Sequence, residues 1–126
     1  MTIFDEIAQV KRLRETGSAL AQYAATLVGG QFLKKGRDWV YGPDNFVTFT
    51  IQHKRSQNIV ITLRGRPKEF EQSNELLLRP GRATYSRCTV DNPRQLRAAA
   101  NYIGRAYELN RCGRSRDIRR PVTVEG

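Results

Sequence analysis

The sequence predicts a single domain of the α+β class, in which N-terminal helices precede a mainly antiparallel sheet of four to five strands and a C-terminal helix packs on that sheet. Apolar residues recur every three or four positions over residues 3–13 and again over 96–107, which indicates amphipathic helices. From Trp39 onward they alternate with polar residues, which is typical of strands. The 126 residues, 39% of them hydrophobic, are enough for one core.

Two helices, or one kinked helix, are predicted before residue 30. Thr2 is placed to cap the first helix, with Asp5 at its third position, and this helix is expected to run to about Glu15. Residues 16–18 indicate a break, after which a second helix runs until two glycines stop it. Because residues 18–28 carry no charge, this helix must be covered, either by the sheet or by a second copy of itself in a homodimer.

The strands are separated by residues that favour turns. We predict strands over residues 39–41, 46–53, 59–63 and 83–90. The glycines and lysines between residues 29 and 36 indicate a helix end followed by a solvated turn, and residues 79–82 indicate a further turn. Residues 68–75 carry three acids with little periodicity and predict a loop or a short helix.

The last helix has the clearest start in the chain. Asp91 or Asn92 is expected to cap it, and Pro93 stands at its first position, where a missing N–H has no cost. Its predicted core face comprises Leu96, Ala99, Ala100, Ile103, Ala106 and Tyr107. The helix is expected to end near Asn110, so that the domain occupies residues 1–110 and residues 111–126 form a basic, flexible tail.

Composition excludes several classes of protein. The longest uncharged run, residues 16–33, is too polar and too short to cross a bilayer, so no membrane partner is expected. The first residues are acidic where a secretory signal is basic, which favours a cytoplasmic location. Cys88, Cys112 and the single histidine, His53, are too few for a disulfide framework or a four-ligand zinc site. We therefore predict no metal site and no cofactor.

No set of residues in the sequence indicates catalysis. His53 lies at a strand end with neither a nucleophile nor an orienting acid near it in the sequence, so it is expected to be a surface or core-edge residue. We predict no catalytic residue, and an enzyme is the least favoured class.

The element order is accompanied by distinctive turn segments at residues 41–46 (Tyr-Gly-Pro-Asp-Asn-Phe) and 86–93 (Ser-Arg-Cys-Thr-Val-Asp-Asn-Pro), the second leading into a helix that ends Tyr107-Glu108. Over roughly residues 39–110 this arrangement resembles a family of uncharacterised bacterial domains, found alone or fused to restriction-type and nuclease-like proteins. These domains are similar in outline to the YjbR and frataxin-like sandwich. The resemblance implies a small α+β module and no particular reaction.

Positive charge is the strongest functional signal. The chain carries 22 basic and 12 acidic residues, a net charge of +10, and residues 64–126 hold 14 of the basic residues against 7 acidic ones. Arginines in this half are candidates for contacting phosphates, because the planar guanidinium pairs with phosphate through two hydrogen bonds. The candidates are Arg79, Arg82, Arg87, Arg94, Arg97, Arg105, Arg111, Arg114, Arg116, Arg119 and Arg120.

These arginines predict a non-catalytic module that binds nucleic acid, DNA or RNA, through phosphate contacts from the C-terminal helix and tail, as an accessory to a DNA-processing or defence system. Tyr85 and Trp39 are candidate stacking platforms for single strands, and both are equally good core residues. The alternative is a protein-interaction or homodimerisation domain that uses helix 18–28 and meets an acidic partner with its basic face.

Overall fold

The computed structural model describes residues 2–42 and 45–119, with the side chains of Val28 and of residues 112–119 left aside. The protein has the predicted α+β architecture: N-terminal helices, an antiparallel sheet and a C-terminal helix packed on that sheet. The helices are α1 (Ile3–Ile7), α2 (Arg14–Val28) and α3 (Leu96–Arg119), with short 3₁₀ turns at Lys11–Leu13, Pro67–Glu69 and Pro93–Gln95. The strands are β1 (Gln31–Lys35), β2 (Asp38–Gly42), β3 (Val47–Gln52), β4 (Asn58–Arg64), β5 (Arg79–Pro80) and β6 (Tyr85–Val90).

The sheet has six strands in the order β1-β2-β3-β4-β6-β5, and every neighbouring pair is antiparallel. Alternate residues of the central strands are buried, as Val47, Phe49 and Ile51 show on β3. They share one apolar core with residues of α1, α2 and α3, such as Ile7 and Ile103. The three helices therefore cover one face of the sheet.

The first helix is shorter than expected, and the predicted break at residues 16–18 is wrong. Thr2 caps α1 through a capping box with Asp5, as predicted, but α1 ends at Ile7 and α2 passes through Gly17 without interruption. A Cβ atom on Gly17 would stand 2.7 Å from Cδ1 of Ile59 and 2.8 Å from Cγ2 of Ile7. The glycine therefore allows α2 to pack closely on α1 and the sheet, and it does not end a helix.

Most apolar residues of α2 are covered by the sheet and the other helices of the same chain. Leu20, Ala21 and Ala24 are buried in the shared core, and Tyr23 is 37% exposed. Gly29 ends the helix in the left-handed conformation, with φ of 69°, which confirms the predicted stop.

Two strands lie where turns were predicted. β1 occupies Gln31–Lys35 and returns through a tight turn at Gly36, where φ is 64°. It is an edge strand whose side chains are exposed apart from the half-buried Phe32. It therefore lacks the alternation of apolar and polar residues that predicts a strand in a sequence. The second is the two-residue β5 at Arg79–Pro80. Together they raise the strand count above the predicted four to five.

The C-terminal helix begins as predicted and continues further. Asn92 accepts a hydrogen bond from the backbone N–H of Arg94 and forms a capping box with Gln95. α3 continues to Arg119 where an end near Asn110 was predicted, because the residues that follow include no proline before 120 and a single glycine does not end a helix. The flexible tail over 111–126 stays a prediction, and Arg120–Gly126 lie outside the described residues.

The core face of α3 differs from the prediction at its ends. Ala99, Ile103 and Ala106 are buried as predicted, whereas Leu96 is 37% exposed and Ala100 and Tyr107 are half-buried. Tyr102, which was not predicted to be buried, is only 2% exposed, and hydrogen bonds to the backbone satisfy its hydroxyl there. Within residues 2–42 and 45–119, no helix has the length and apolar character needed to cross a membrane.

Candidate nucleic-acid interface

The second face of the sheet, which we call the open face, is left uncovered by the helices of the described chain. It is formed by the residues that alternate with the buried ones on each strand, and most of them are exposed or half-exposed. One row crosses all six strands in register: Leu33, Val40, Thr48, Thr62, Arg87 and Arg79. Val60 is the exception to this exposure, at 8%.

Three of the predicted arginines lie together at the β5–β6 side of this face. Arg79 and Arg87 are register partners on β5 and β6, and both are exposed. Arg82 is exposed in the turn that joins the same two strands, where its carbonyl oxygen accepts a hydrogen bond from the N–H of Tyr85 at 2.9 Å. The short connection between β5 and β6 therefore brings these three exposed residues to one region.

Arg64 joins them, although the sequence did not single it out as a candidate. It stands opposite Tyr85 in the β4–β6 register, donates a hydrogen bond from Nη1 to the tyrosine hydroxyl at 3.2 Å, and lies 5.8 Å from the ring centroid. The alternation along β4 places Arg64 on the same side as Thr62, but its proximity to Arg87 depends on the pairing of β4 with β6. We call Arg64, Arg79, Arg82 and Arg87 the open-face arginines.

The remaining described candidates lie on the helical side of the molecule and face acidic residues. Arg94 and Arg97 line a cavity of about 400 Å³ together with Glu71 and Glu75. Arg105 donates from Nε to the carbonyl oxygen of Glu69 at 3.0 Å, and its Nη1 lies 3.5 Å from Oε1 of Glu108. The structure thus does not bring Arg94, Arg97 and Arg105 together with the open-face arginines.

The arginines of the C-terminal segment are described only in part. Arg111 lies over the ring of Tyr107, 5.5 Å from its centroid. Arg114, Arg116 and Arg119 belong to the last turns of α3, and their side chains lie outside the described part of the chain. Arg120 lies outside the described residues altogether.

Negative charge on the open face is sparse. Asp38 is the only acidic residue in the six strands, and its Oδ1 accepts a hydrogen bond from the hydroxyl of Thr50 at 2.6 Å. Glu75 and Asp91 approach from the sheet edge, where they line a cavity of about 730 Å³ with Arg79 and Arg87. The positive charge of the face therefore lies at its β5–β6 side, beside these two carboxylates, and the open-face positions of β2, β3 and β4 are neutral apart from Asp38 and Arg64.

The two candidate stacking platforms have different environments. Trp39 is 4% exposed in the core on the helical side of the sheet, so it offers no surface for a base. Tyr85 is half-buried on the open face beside Arg64. Tyr85 is thus the aromatic side chain placed to contact a ligand on that face.

No group of three or more His, Cys, Asp and Glu side chains in the described part of the chain is arranged to hold a metal ion. No family model, curated protein or solved structure matches the chain. The geometry and the charge of the open face are therefore the features that bear on function.

Proposed function

We propose that the protein is a non-catalytic module that binds nucleic acid through phosphate contacts on its open face. The observation that carries this proposal is the gathering of the four open-face arginines, three on strands and Arg82 in the β5–β6 turn, on a sheet whose strands hold a single acidic residue. A guanidinium group presents a planar fork of donors that matches two phosphate oxygens, which makes arginine well suited to this contact.

The dimensions of the site favour a polyanion over a single small anion. Adjacent strands lie about 4.8 Å apart and successive residues about 3.3 Å apart, so Arg64 on β4 and Arg79 on β5, two strands across and two residues along, are separated by about 12 Å. Duplex DNA carries one negative charge per about 1.7 Å of its axis, and several phosphates fall within that span. The hydroxyls of Thr62 and Thr89 add neutral donors to the same face.

Contacts of this kind give affinity with little sequence preference. Each neutralised phosphate releases counterions, so the affinity falls as salt is added. The net charge of +10 also attracts a polyanion over a distance set by the ionic strength. The arginines of residues 111–120 contribute to this net charge.

The test is fluorescence anisotropy with random single- and double-stranded oligonucleotides, both DNA and RNA, at about 50 and about 200 mM salt. We expect micromolar binding that weakens steeply with salt. Replacing Arg64, Arg79 and Arg87 together by Ala should reduce the salt slope by roughly 0.7 to 0.9 for each phosphate that the variant no longer neutralises. The comparison of DNA with RNA reports which of the two binds more tightly.

The matched control removes the same number of charges from the helical side, through Arg94→Ala, Arg97→Ala and Arg105→Ala. This variant should keep the salt slope close to that of the parent chain. A reversed result, in which only the control variant has a smaller slope, would place the interface on α3 and overturn the open-face proposal. Absence of binding at low salt would overturn nucleic-acid binding and favour the alternative of an acidic protein partner.

A further inference from the structure

A second basic site lies away from the open-face arginines, at the end of the sheet where the β1–β2 and β3–β4 turns meet α1. It is a cavity of about 600 Å³. Its charged and titratable lining comes from Glu6, Lys34, Arg37, His53, Lys54 and Arg55. We call this cavity the Glu6 pocket.

Glu6 is a fixed carboxylate at the base of the pocket. It is 7% exposed, and its Oε1 accepts hydrogen bonds from Nζ of Lys34 at 2.6 Å and from Nε1 of Trp39 at 2.8 Å. Burial alone would raise the pKa of Glu6, but these two hydrogen bonds and the positive charge of Lys34 hold it below the ordinary value. Glu6 therefore stays ionised at neutral pH and keeps its two donors in place.

Glu6 also brings together two groups that would serve as donors to a ligand. Its Oε2 lies 3.7 Å from Nε2 of His53, so the carboxylate faces that ring nitrogen. The Nζ of Lys34 lies 5.0 Å from the centroid of the Trp39 ring, and the Lys34 side chain remains 40% exposed. An ammonium group has three donors, so Lys34 has donors left after its bond to Glu6.

The charge balance of the pocket favours an anion with more than one charge. Lys34, Arg37, Lys54 and Arg55 contribute four positive charges and Glu6 contributes one negative charge, which leaves +3 before His53 is counted. The side chains of Arg37, Lys54 and Arg55 are exposed at the mouth, on two different turns. An oxyanion held between these turns would thus meet donors from opposite sides.

We propose that the Glu6 pocket binds a phosphomonoester dianion, with Lys34 and His53 as donors at its base and Arg37 and Arg55 as donors at its mouth. A terminal phosphate carries about −1.5 to −2 charges near neutral pH, whereas an internal phosphodiester carries one, so the pocket favours a chain end or a small phosphorylated molecule. The volume of about 600 Å³ leaves room for the group that carries the phosphate. This inference goes beyond the proposed function, because none of these residues belongs to the open-face arginines.

Trp39 is the only tryptophan in the chain and bonds directly to Glu6, so its fluorescence reports on the pocket. The test titrates the full chain with inorganic phosphate at constant ionic strength, with chloride as the reference anion. We expect a saturable change in emission with phosphate and none with chloride. Equal responses to the two anions would overturn the proposal.

The test variant is Arg37→Ala with Arg55→Ala, which removes two exposed donors and leaves the hydrogen bonds of Glu6 intact. We expect phosphate affinity to fall by about tenfold or more, because the variant lacks two charged donors at the mouth of the pocket. The matched control, Arg94→Ala with Arg97→Ala, removes the same charge from the helical side, where these residues line a different cavity, and should leave phosphate affinity unchanged. Equal reductions of affinity in both variants would show a general charge effect and overturn the site.

Oligonucleotides that differ only in a 5′-phosphate or a 5′-hydroxyl identify the source of the phosphate. Tighter binding of the phosphorylated end, abolished in the Arg37→Ala, Arg55→Ala variant, would support a nucleic-acid terminus as the ligand. Saturable phosphate binding without preference between the two ends would support a small phosphorylated molecule. Phosphate binding in the absence of any oligonucleotide binding would support the Glu6 pocket and overturn the proposed function, so the two proposals fail independently.

Discussion

The hydroxyl group of Tyr102 on α3 accepts a hydrogen bond from the backbone N–H of Ser73, 2.9 Å away. The same hydroxyl donates to the carbonyl oxygen of Leu76. One buried side chain therefore satisfies two backbone groups of the segment that connects β4 to β5, and this pair of bonds holds that segment against the helix.

We expect Tyr102→Phe to lower the free energy of unfolding by about 1–3 kcal/mol, because it removes the partner of two backbone groups and leaves the ring in place. Chemical denaturation measures the change. Tyr107→Phe is the control, since the structure gives the Tyr107 hydroxyl no hydrogen bond within the described residues. Equal changes of the unfolding free energy in the two variants would show that water replaces the Tyr102 hydroxyl as the partner of these backbone groups.

Gly29 and Gly30 are required for different reasons: Gly29 for its left-handed backbone conformation and Gly30 for the space that a side chain would need. A Cβ on Gly29 meets nothing within 4 Å, so Gly29→Ala introduces only the strain of a φ of 69°, about 1–2 kcal/mol. A Cβ on Gly30 would lie 2.2 Å from the backbone oxygen of Gly42. We expect Gly30→Ala to lower the melting temperature more than Gly29→Ala does, and the reverse order would contradict the close approach of these two backbones.

The lowered pKa of Glu6 links stability to pH. A carboxyl group whose folded pKa lies below the ordinary value of 4.5 stabilises the fold above that value, and the contribution is lost as the pH falls through the folded pKa. Glu6→Gln should therefore cost about 1–3 kcal/mol near neutral pH and progressively less as the pH falls below 4.5. Urea denaturation at several pH values measures this, with the exposed Glu71→Gln as the control. If the difference in unfolding free energy between the parent chain and Glu6→Gln does not change with pH, Glu6 is not ionised in the folded protein.

Cys88 should be chemically inert in the folded protein. It is 4% exposed, and burial raises the pKa of its thiol to about 12, so little thiolate forms at mildly alkaline pH. In a chain carrying Cys112→Ser, a thiol-reactive disulfide reagent should label Cys88 only as fast as the protein unfolds. Rapid labelling without denaturant would show that β6 opens in the native state.

The parts of the fold that were predictable are those with strong local signals. The alternation of apolar and polar residues over 47–51 predicts a strand. The pair Asn92-Pro93 predicts the start of a helix. β1 gave no such signal, because an edge strand with mostly exposed side chains needs no alternation. Gly17 was misread because a glycine that breaks a helix and one that allows close packing look the same in a sequence.

The candidate site was predictable in composition and not in geometry. Arg79, Arg82 and Arg87 were found as basic residues near one strand, but their separation from Arg94 and Arg97 follows from which face of the sheet α3 covers. The Glu6 pocket joins residues from α1, β1 and the β3–β4 turn. These segments are distant in the sequence, and the spacing of residues within one segment does not predict a contact between them.

Because helices cover only one face of the sheet, neighbouring residues of a strand accept substitutions very differently. Replacing Val47 removes a buried side chain at a cost of about 1–3 kcal/mol, whereas replacing Thr48 on the open face changes stability by about 0.5 kcal/mol or less. Mutations can therefore accumulate at every second position of β3, β4 and β6 while the core stays intact. The surface chemistry of this face can therefore change without a change of fold.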